Sequence, residues 1–141
     1  MTLEEKLIDY AYTHNTVVYE HPLPLTSSVS ARLDGVSYIG IDRERLEDSD
    51  RRAVCLAHEL GHCQTDSFYS VHSPRLTRDK LERRANVWAI EHTIPLPQLN
   101  SLIKRGVREI WELAEHFEVT VEFMAAALEY YKNGELYLEM K

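Results

Sequence analysis

The chain has 141 residues, of which 44% are hydrophobic and 28% charged, and it carries a formal net charge of −7. That length and composition suit one globular domain with its own core, residues 1–141 together. An acidic chain gains little from phosphate attraction, which works against nucleic acid as the main partner. No apolar run reaches the roughly 18 residues that a membrane-spanning helix needs. Met1-Thr2-Leu3-Glu4-Glu5-Lys6 lacks the charged and apolar regions of a signal peptide, so a cytoplasmic location is expected.

Thr2 and Glu5 form a capping-box pattern, which predicts a helix to about Thr13 with Leu3, Leu7, Ile8, Tyr10 and Ala11 inward and Asn15 closing it. Val17-Val18-Tyr19 reads as a short strand. The prolines of His21-Pro22-Leu23-Pro24-Leu25 remove two backbone donors within three residues, so this stretch is a loop. Two strand-like runs follow, Val29 to Leu33 and Val36 to Ile41. Asp34-Gly35 between them tolerates positive φ at both positions, the strongest short hairpin signal. A small antiparallel sheet is therefore expected ahead of the next helix.

That helix is predicted over about Asp50 to Gln64, started by Asp48-Ser49-Asp50, whose acids suit the positive end of the helix dipole. Ala53, Val54, Ala57 and Leu60 recur at spacings of three and four. Within it stands His58-Glu59-Leu60-Gly61-His62. Two imidazoles four residues apart stack one turn above each other and can reach a single tetrahedral Zn²⁺ at about 2.0–2.1 Å. Glu59, beside them, is placed to act as a general base on water. The apolar flanks Val54, Leu56 and Leu60 argue against an ordinary solvated face, since a buried helix rarely gathers such polar groups without a use for them. Cys55 and Cys63 are eight residues apart on this helix, about 12 Å of rise, too far for a disulfide. Both read as small apolar residues in a reducing compartment.

Thr65 to Pro74 has no clean period and reads as a loop carrying Asp66, Tyr69 and His72. A helix follows over about Arg78 to His92, capped by Thr77, with Leu81, Ala85, Trp88 and Ala89 on one face and Ile94-Pro95-Leu96-Pro97 as its stop. A short helix from Pro97 to about Lys104 comes next. The remainder reads as a helix from Val107 to Phe117 with Val107, Ile110, Trp111 and Ala114 at helical spacing. Thr120 then caps a second helix to about Lys132, with Phe123, Met124, Ala127 and Leu128 inward, and Asn133-Gly134 stops it. Glu135 to Met140 reads as a final short strand.

Two histidines leave a catalytic zinc site one ligand short. Asp66 lies four residues past His62, but on a continuous helix it is about 12 Å of rise from His58, so it could serve only if the helix ends before it. Glu82, on the following helix, is the better candidate. Asn86, one turn on, shares its face and could orient a ligating imidazole. The plain alternative for Glu82 is a surface carboxylate in the charged run Arg78, Asp79, Lys80, Glu82, Arg83, Arg84.

Several segments in order resemble the ImmA/IrrE family of short metallopeptidases found on prophages and mobile elements. They are Gly35 to Ile41, Ala57-His58-Glu59-Leu60-Gly61-His62, Glu82-Arg83-Arg84-Ala85-Asn86-Val87-Trp88-Ala89 leading to Ile94-Pro95, and Trp111 to Thr120, together spanning roughly residues 17 to 130. Arg84 stands where the family often has a second acidic residue, and Val87-Trp88-Ala89 departs from its usual aromatic-Ala-Ala run. The resemblance implies an α+β, zincin-like fold, with a small sheet and the site helices in residues 17–95 and a helical part in 96–141. It also implies Glu82 as third ligand, and a protein substrate, a helix-turn-helix repressor of a mobile element.

The expected chemistry is metal-assisted hydrolysis of a peptide bond, with His58, His62 and Glu82 holding Zn²⁺ and Glu59 as base. Mn²⁺ and Fe²⁺ also suit two histidines and a carboxylate. His72, Tyr69, His92 and Tyr38 are candidate oxyanion stabilisers, unranked by sequence. The rival reading is a non-catalytic interaction or DNA-binding module, because Leu113 to Thr120 resembles the first half of a helix-turn-helix. Its would-be recognition helix, Val121 to Tyr131, carries Glu122 and Glu129 but no Lys or Arg, whereas reading DNA needs donors for phosphates and base edges. A structural metal domain is the third reading, and Glu59 speaks against it, because structure alone needs no base there.

Overall fold

The computed structural model describes residues 1–133. Six helices and three strands follow in the order α1 (Leu3–Thr13), β1 (Thr16–Glu20), β2 (Ser28–Leu33), β3 (Val36–Ile41), α2 (Ser49–Thr65), α3 (Arg75–Thr93), α4 (Leu96–Lys104), α5 (Ile110–Phe117) and α6 (Val121–Asn133). The α+β class is as expected. The predicted strand at 135–140 lies outside the described residues.

The capping box forms as predicted: the Glu5 amide donates to Thr2 Oγ1 and the Thr2 amide donates to Glu5 Oε1. Leu3, Leu7 and Ala11 turn inward, spaced by four as one helical face requires. The hairpin also forms, with Leu33 opposite Val36 and positive φ at both Asp34 (52°) and Gly35 (81°). A non-glycine side chain is tolerated at the first position because aspartate accepts the left-handed region more readily than most.

The sheet differs from expectation in one respect. Its order is β1-β3-β2, with β2 antiparallel to β3 but β1 parallel to it, so it is mixed. The proline-rich segment does not turn β1 back on itself. It carries the chain across the end of β3, so β2 lands on the far side. Asp42, buried at the end of β3, ties that crossing down. The Leu23 amide donates to its Oδ2 at 2.9 Å, and the Glu44 amide donates to its Oδ1 at 3.1 Å.

Ile39 and Ile41 of β3 face α2 and join Ala53, Leu56, Ala57 and Leu60 in the core with Leu7 and Ala11 of α1. Helix α2 then packs along α3. Gly61 is the point of closest approach: a Cβ there would lie 2.3 Å from the Ala85 carbonyl oxygen. Helix α3 begins a turn earlier than Thr77 predicts, after Pro74, a residue that suits a helix start because it has no amide to leave unpaired. Helix α5 begins three residues later than predicted, and of the four residues at helical spacing only Ala114 is on its buried face. Leu113, Ala114 and Phe117 are buried, while Ile110 is 39% and Trp111 59% exposed. Helix α6 follows the prediction, with the Phe123 amide donating to Thr120 Oγ1 and Met124 and Ala127 buried.

Two outcomes check this packing. Gly61→Ala forces α2 and α3 apart, because the obstructing atom is backbone and cannot swing away, and should cost about 1–3 kcal/mol in urea unfolding. The amides around Asp42 hold its carboxyl below the ordinary value of 3.8, against the opposing effect of burial. A depressed folded-state pKa contributes stability that is present above the unfolded value and lost as pH falls through the folded one. Unfolding of wild type beside Asp42→Asn should therefore show a wild-type advantage at neutral pH that vanishes only as pH drops below 3.8.

Candidate metal centre

His58 and His62 come from the third and fourth turns of α2, and Glu82 from α3 facing them. His58 Nε2 lies 2.8 Å from Glu82 Oε2, His62 Nε2 lies 3.4 Å from Glu82 Oε1, and the two Nε2 atoms are 3.2 Å apart. One ligand atom from each residue falls within 4.8 Å of the others. The three residues that sequence and resemblance single out are thus brought together.

Their outer partners decide which ring nitrogens face inward. His62 Nδ1 lies 2.7 Å from the Ser67 carbonyl oxygen, which can only accept, so Nδ1 carries the proton and Nε2 presents a lone pair. His58 Nδ1 donates in the same way to Asn86 Oδ1 at 2.7 Å. Two imidazole lone pairs and a carboxylate consequently converge with no donor of their own among them. Electron-pair donors packed this closely repel unless a cation or a shared proton joins them. The donor set therefore fits a divalent metal that accepts two nitrogens and a carboxylate.

Burial raises the proton affinity of Glu82, but the Tyr69 hydroxyl that donates to its Oε1 and the neighbouring His58 and His62 outweigh it and hold Glu82 below the usual carboxylate value. The same bond to Glu82, with burial, pushes the Tyr69 phenol up to about 12. Tyr69 therefore remains a neutral hydroxyl, able to donate, across the physiological range.

Glu59 points about 100° around α2 from His58, toward the sheet rather than toward α3. It is 7% exposed, and β2 supplies its partners: Ser28 Oγ donates to Oε2 at 2.7 Å and Ser30 Oγ donates to Oε1 at 2.6 Å. Glu59, His58, His62 and Glu82 line one cleft of about 370 Å³, walled by Thr26, Ser28, Val29, Ser30, Phe68 and Tyr69. A second cavity of about 450 Å³ between α3 and α6 shares Glu82 and is also bounded by Asn86, Arg83 and Tyr130.

Other candidates fall elsewhere. Asp66 closes α2 in the left-handed conformation and pairs with Arg32 at 2.8 Å, its side chain 78% exposed, away from the cluster. The helix does end at Thr65, just before Asp66, but the Asp66 carboxylate turns to Arg32 and not to His58. Of the four oxyanion candidates, only Tyr69 lines the cleft. His92 stacks on Trp88 at 3.9 Å, Tyr38 sits in β3 opposite Val17 and Ala31, and His72 lies in the exposed loop before α3. Ser28, Ser30 and the Ser67 carbonyl are not singled out by sequence. The alternation Ser28-Val29-Ser30 puts both hydroxyls on one strand face, but nothing local says what that face meets. Cys55 and Cys63 are both free.

Such a cleft defines a class of site: two histidines one helical turn apart and a carboxylate from a second helix, arranged to share one cation beside a further carboxylate. Residues 11–129 match the Peptidase_M78 family, the IrrE N-terminal-like domain, and the chain belongs to that family. This agrees with the ImmA/IrrE resemblance and places the chain among peptidases. No curated protein and no solved structure matches it. Among the described residues no helix is long and apolar enough to cross a membrane.

If Asn86 fixes the ring of His58, Asn86→Ala should weaken zinc binding about 10–100-fold while leaving the fold intact. Competition against a chromogenic chelator measures this, and unchanged affinity would remove Asn86 from the site.

Proposed function

We propose that the protein is a zinc-dependent endopeptidase acting on a protein partner, with His58, His62 and Glu82 as metal ligands and Glu59 as general base. The observation that carries the reading is the convergence of the three ligand atoms in the same cleft as an oriented, nearly buried carboxylate. A structural metal site has no need of the latter. When bound, the metal supplies Lewis acidity, which makes a water nucleophilic near neutral pH and polarises a carbonyl.

The residues of the chain divide the remaining work. Glu59 accepts the proton of the attacking water and passes it to the departing amine, so one group serves as base and then as acid. Tyr69, a neutral donor at the opposite wall, moves its hydrogen bond from Glu82 to the carbonyl oxygen as negative charge develops there. Strand β2 is an edge of the sheet and lines the cleft. Its outward backbone groups can pair with an extended substrate segment by β-augmentation, while Val29, Phe68 and Tyr69 offer apolar contacts to its side chains. The family resemblance supports a helix-turn-helix repressor of a mobile element as the protein cleaved, and a cytoplasmic setting for the reaction.

Metal content is the first test. Wild type should bind one equivalent of zinc, with His58→Ala and Glu82→Ala losing or weakening it. Retention by Glu82→Ala would remove Glu82 from the ligand set. Glu59→Gln should keep its zinc yet lose at least about 100-fold in turnover against a quenched-fluorescent peptide library. Tyr69→Phe should lower kcat about 100-fold or more. Glu59→Gln turning over as fast as wild type would sink the mechanism.

A further inference from the structure

We propose that Ser28 and Ser30 are the positioning residues of the general base: from one face of the edge strand they tie both oxygens of Glu59 and set the plane of its carboxylate. The proposal rests on the peptidase reading above. Its physical basis is the pair of short bonds to opposite oxygens, 2.7 Å from Ser28 and 2.6 Å from Ser30. One such bond would leave the carboxylate free to pivot about its last carbon–carbon bond. Two bonds to different oxygens fix position and plane together.

The spacing makes this a built arrangement. Ser28 and Ser30 are two apart in β2, so they share a face, and they stand opposite Ile41 and Ile39 of β3. Those two isoleucines are buried against α2. The register that packs the core thus presents the hydroxyls to Glu59. Neutral hydroxyls also differ in kind from an arginine or lysine. A cation would orient Glu59 equally well but would hold its negative charge in an ion pair; a hydroxyl donates one hydrogen bond and leaves the other lone pairs to take a proton from water. Bonds to a charged acceptor are the stronger sort, as holding a nearly buried carboxylate steady requires.

The test compares wild type, Glu59→Gln, Ser28→Ala/Ser30→Ala and Ser28→Thr/Ser30→Thr. Zinc content is measured first. Kinetics follow on the library peptide that wild type cleaves fastest, with kcat and KM separated. The paired alanine variant should keep its zinc and its KM while kcat falls about 100-fold. The threonine variant, which restores the hydroxyls, should recover most of that loss. Urea unfolding of the metal-free proteins supplies a readout without turnover. Removing both hydroxyls should shift the unfolding equilibrium at least about tenfold more in wild type than in the Glu59→Gln background. Unchanged kcat in the alanine pair, an equal loss in the threonine pair, or additive unfolding effects would each overturn the proposal. If wild type cleaves no peptide faster than Glu59→Gln, the peptidase reading itself fails. If wild type cleaves and the alanine pair matches it, only the serine assignment fails.

Discussion

The close approach of α2 and α3 at Gly61 is the constraint on which the site depends. Gly61 adjoins His62, and Ala85, whose carbonyl it meets, lies between Glu82 and Asn86. Small residues at the crossing let the two backbones touch. At that separation Glu82 on α3 reaches the imidazoles on α2, while Asn86 one turn later reaches the back of one ring. The placing of His58, His62 and Glu82 is here a product of helix packing, and packing density leaves little freedom to adjust it. The sheet fixes the other side in the same way, because burial of Ile39 and Ile41 determines where β2 sets its two serines.

Electrostatically the cleft keeps its negative charge available. Glu82 is held by a tyrosine hydroxyl and Glu59 by two serine hydroxyls. Arginine is used where structure alone is at stake: Arg32 pairs with Asp66 at the end of α2, and Arg52 pairs with Glu4 at 2.9 Å to join α2 to α1. Both carboxylates are thus oriented by neutral hydroxyl donors rather than by paired cations. The same economy governs the histidines, whose outer nitrogens are occupied by an amide oxygen and a carbonyl so that the inner ones remain free.

Local signals served well wherever the controlling chemistry is local. The Thr2–Glu5 box, the Asp34-Gly35 turn, the Thr120 cap and the i, i+4 histidine pair each need only a few neighbouring residues to define them. Helix α5 is harder to read, because eight residues hold too few apolar positions to mark a buried face, and Trp111, at helical spacing with Ala114, is exposed. The parallel pairing of β1 with β3 is likewise not legible in the local sequence. A proline-rich loop excludes regular structure at that point but says nothing about which side of β3 the chain emerges on.

Sequence alone determined the geometry of the His58–His62 turn, because two histidines and a glutamate within five positions of a helix acquire their relative geometry from the helix itself. It also narrowed the third ligand to Glu82 or Asp66, with family resemblance favouring the former. Tertiary structure decided the rest: that Glu82 faces the histidines while Asp66 turns out to solvent, that Tyr69 alone of four candidates stands in the cleft, and that Ser28 and Ser30 meet Glu59 across 31 and 29 residues of chain. The physical reason is range. A helix carries geometry over one or two turns, whereas contacts between separate elements are settled by which apolar faces they bury together.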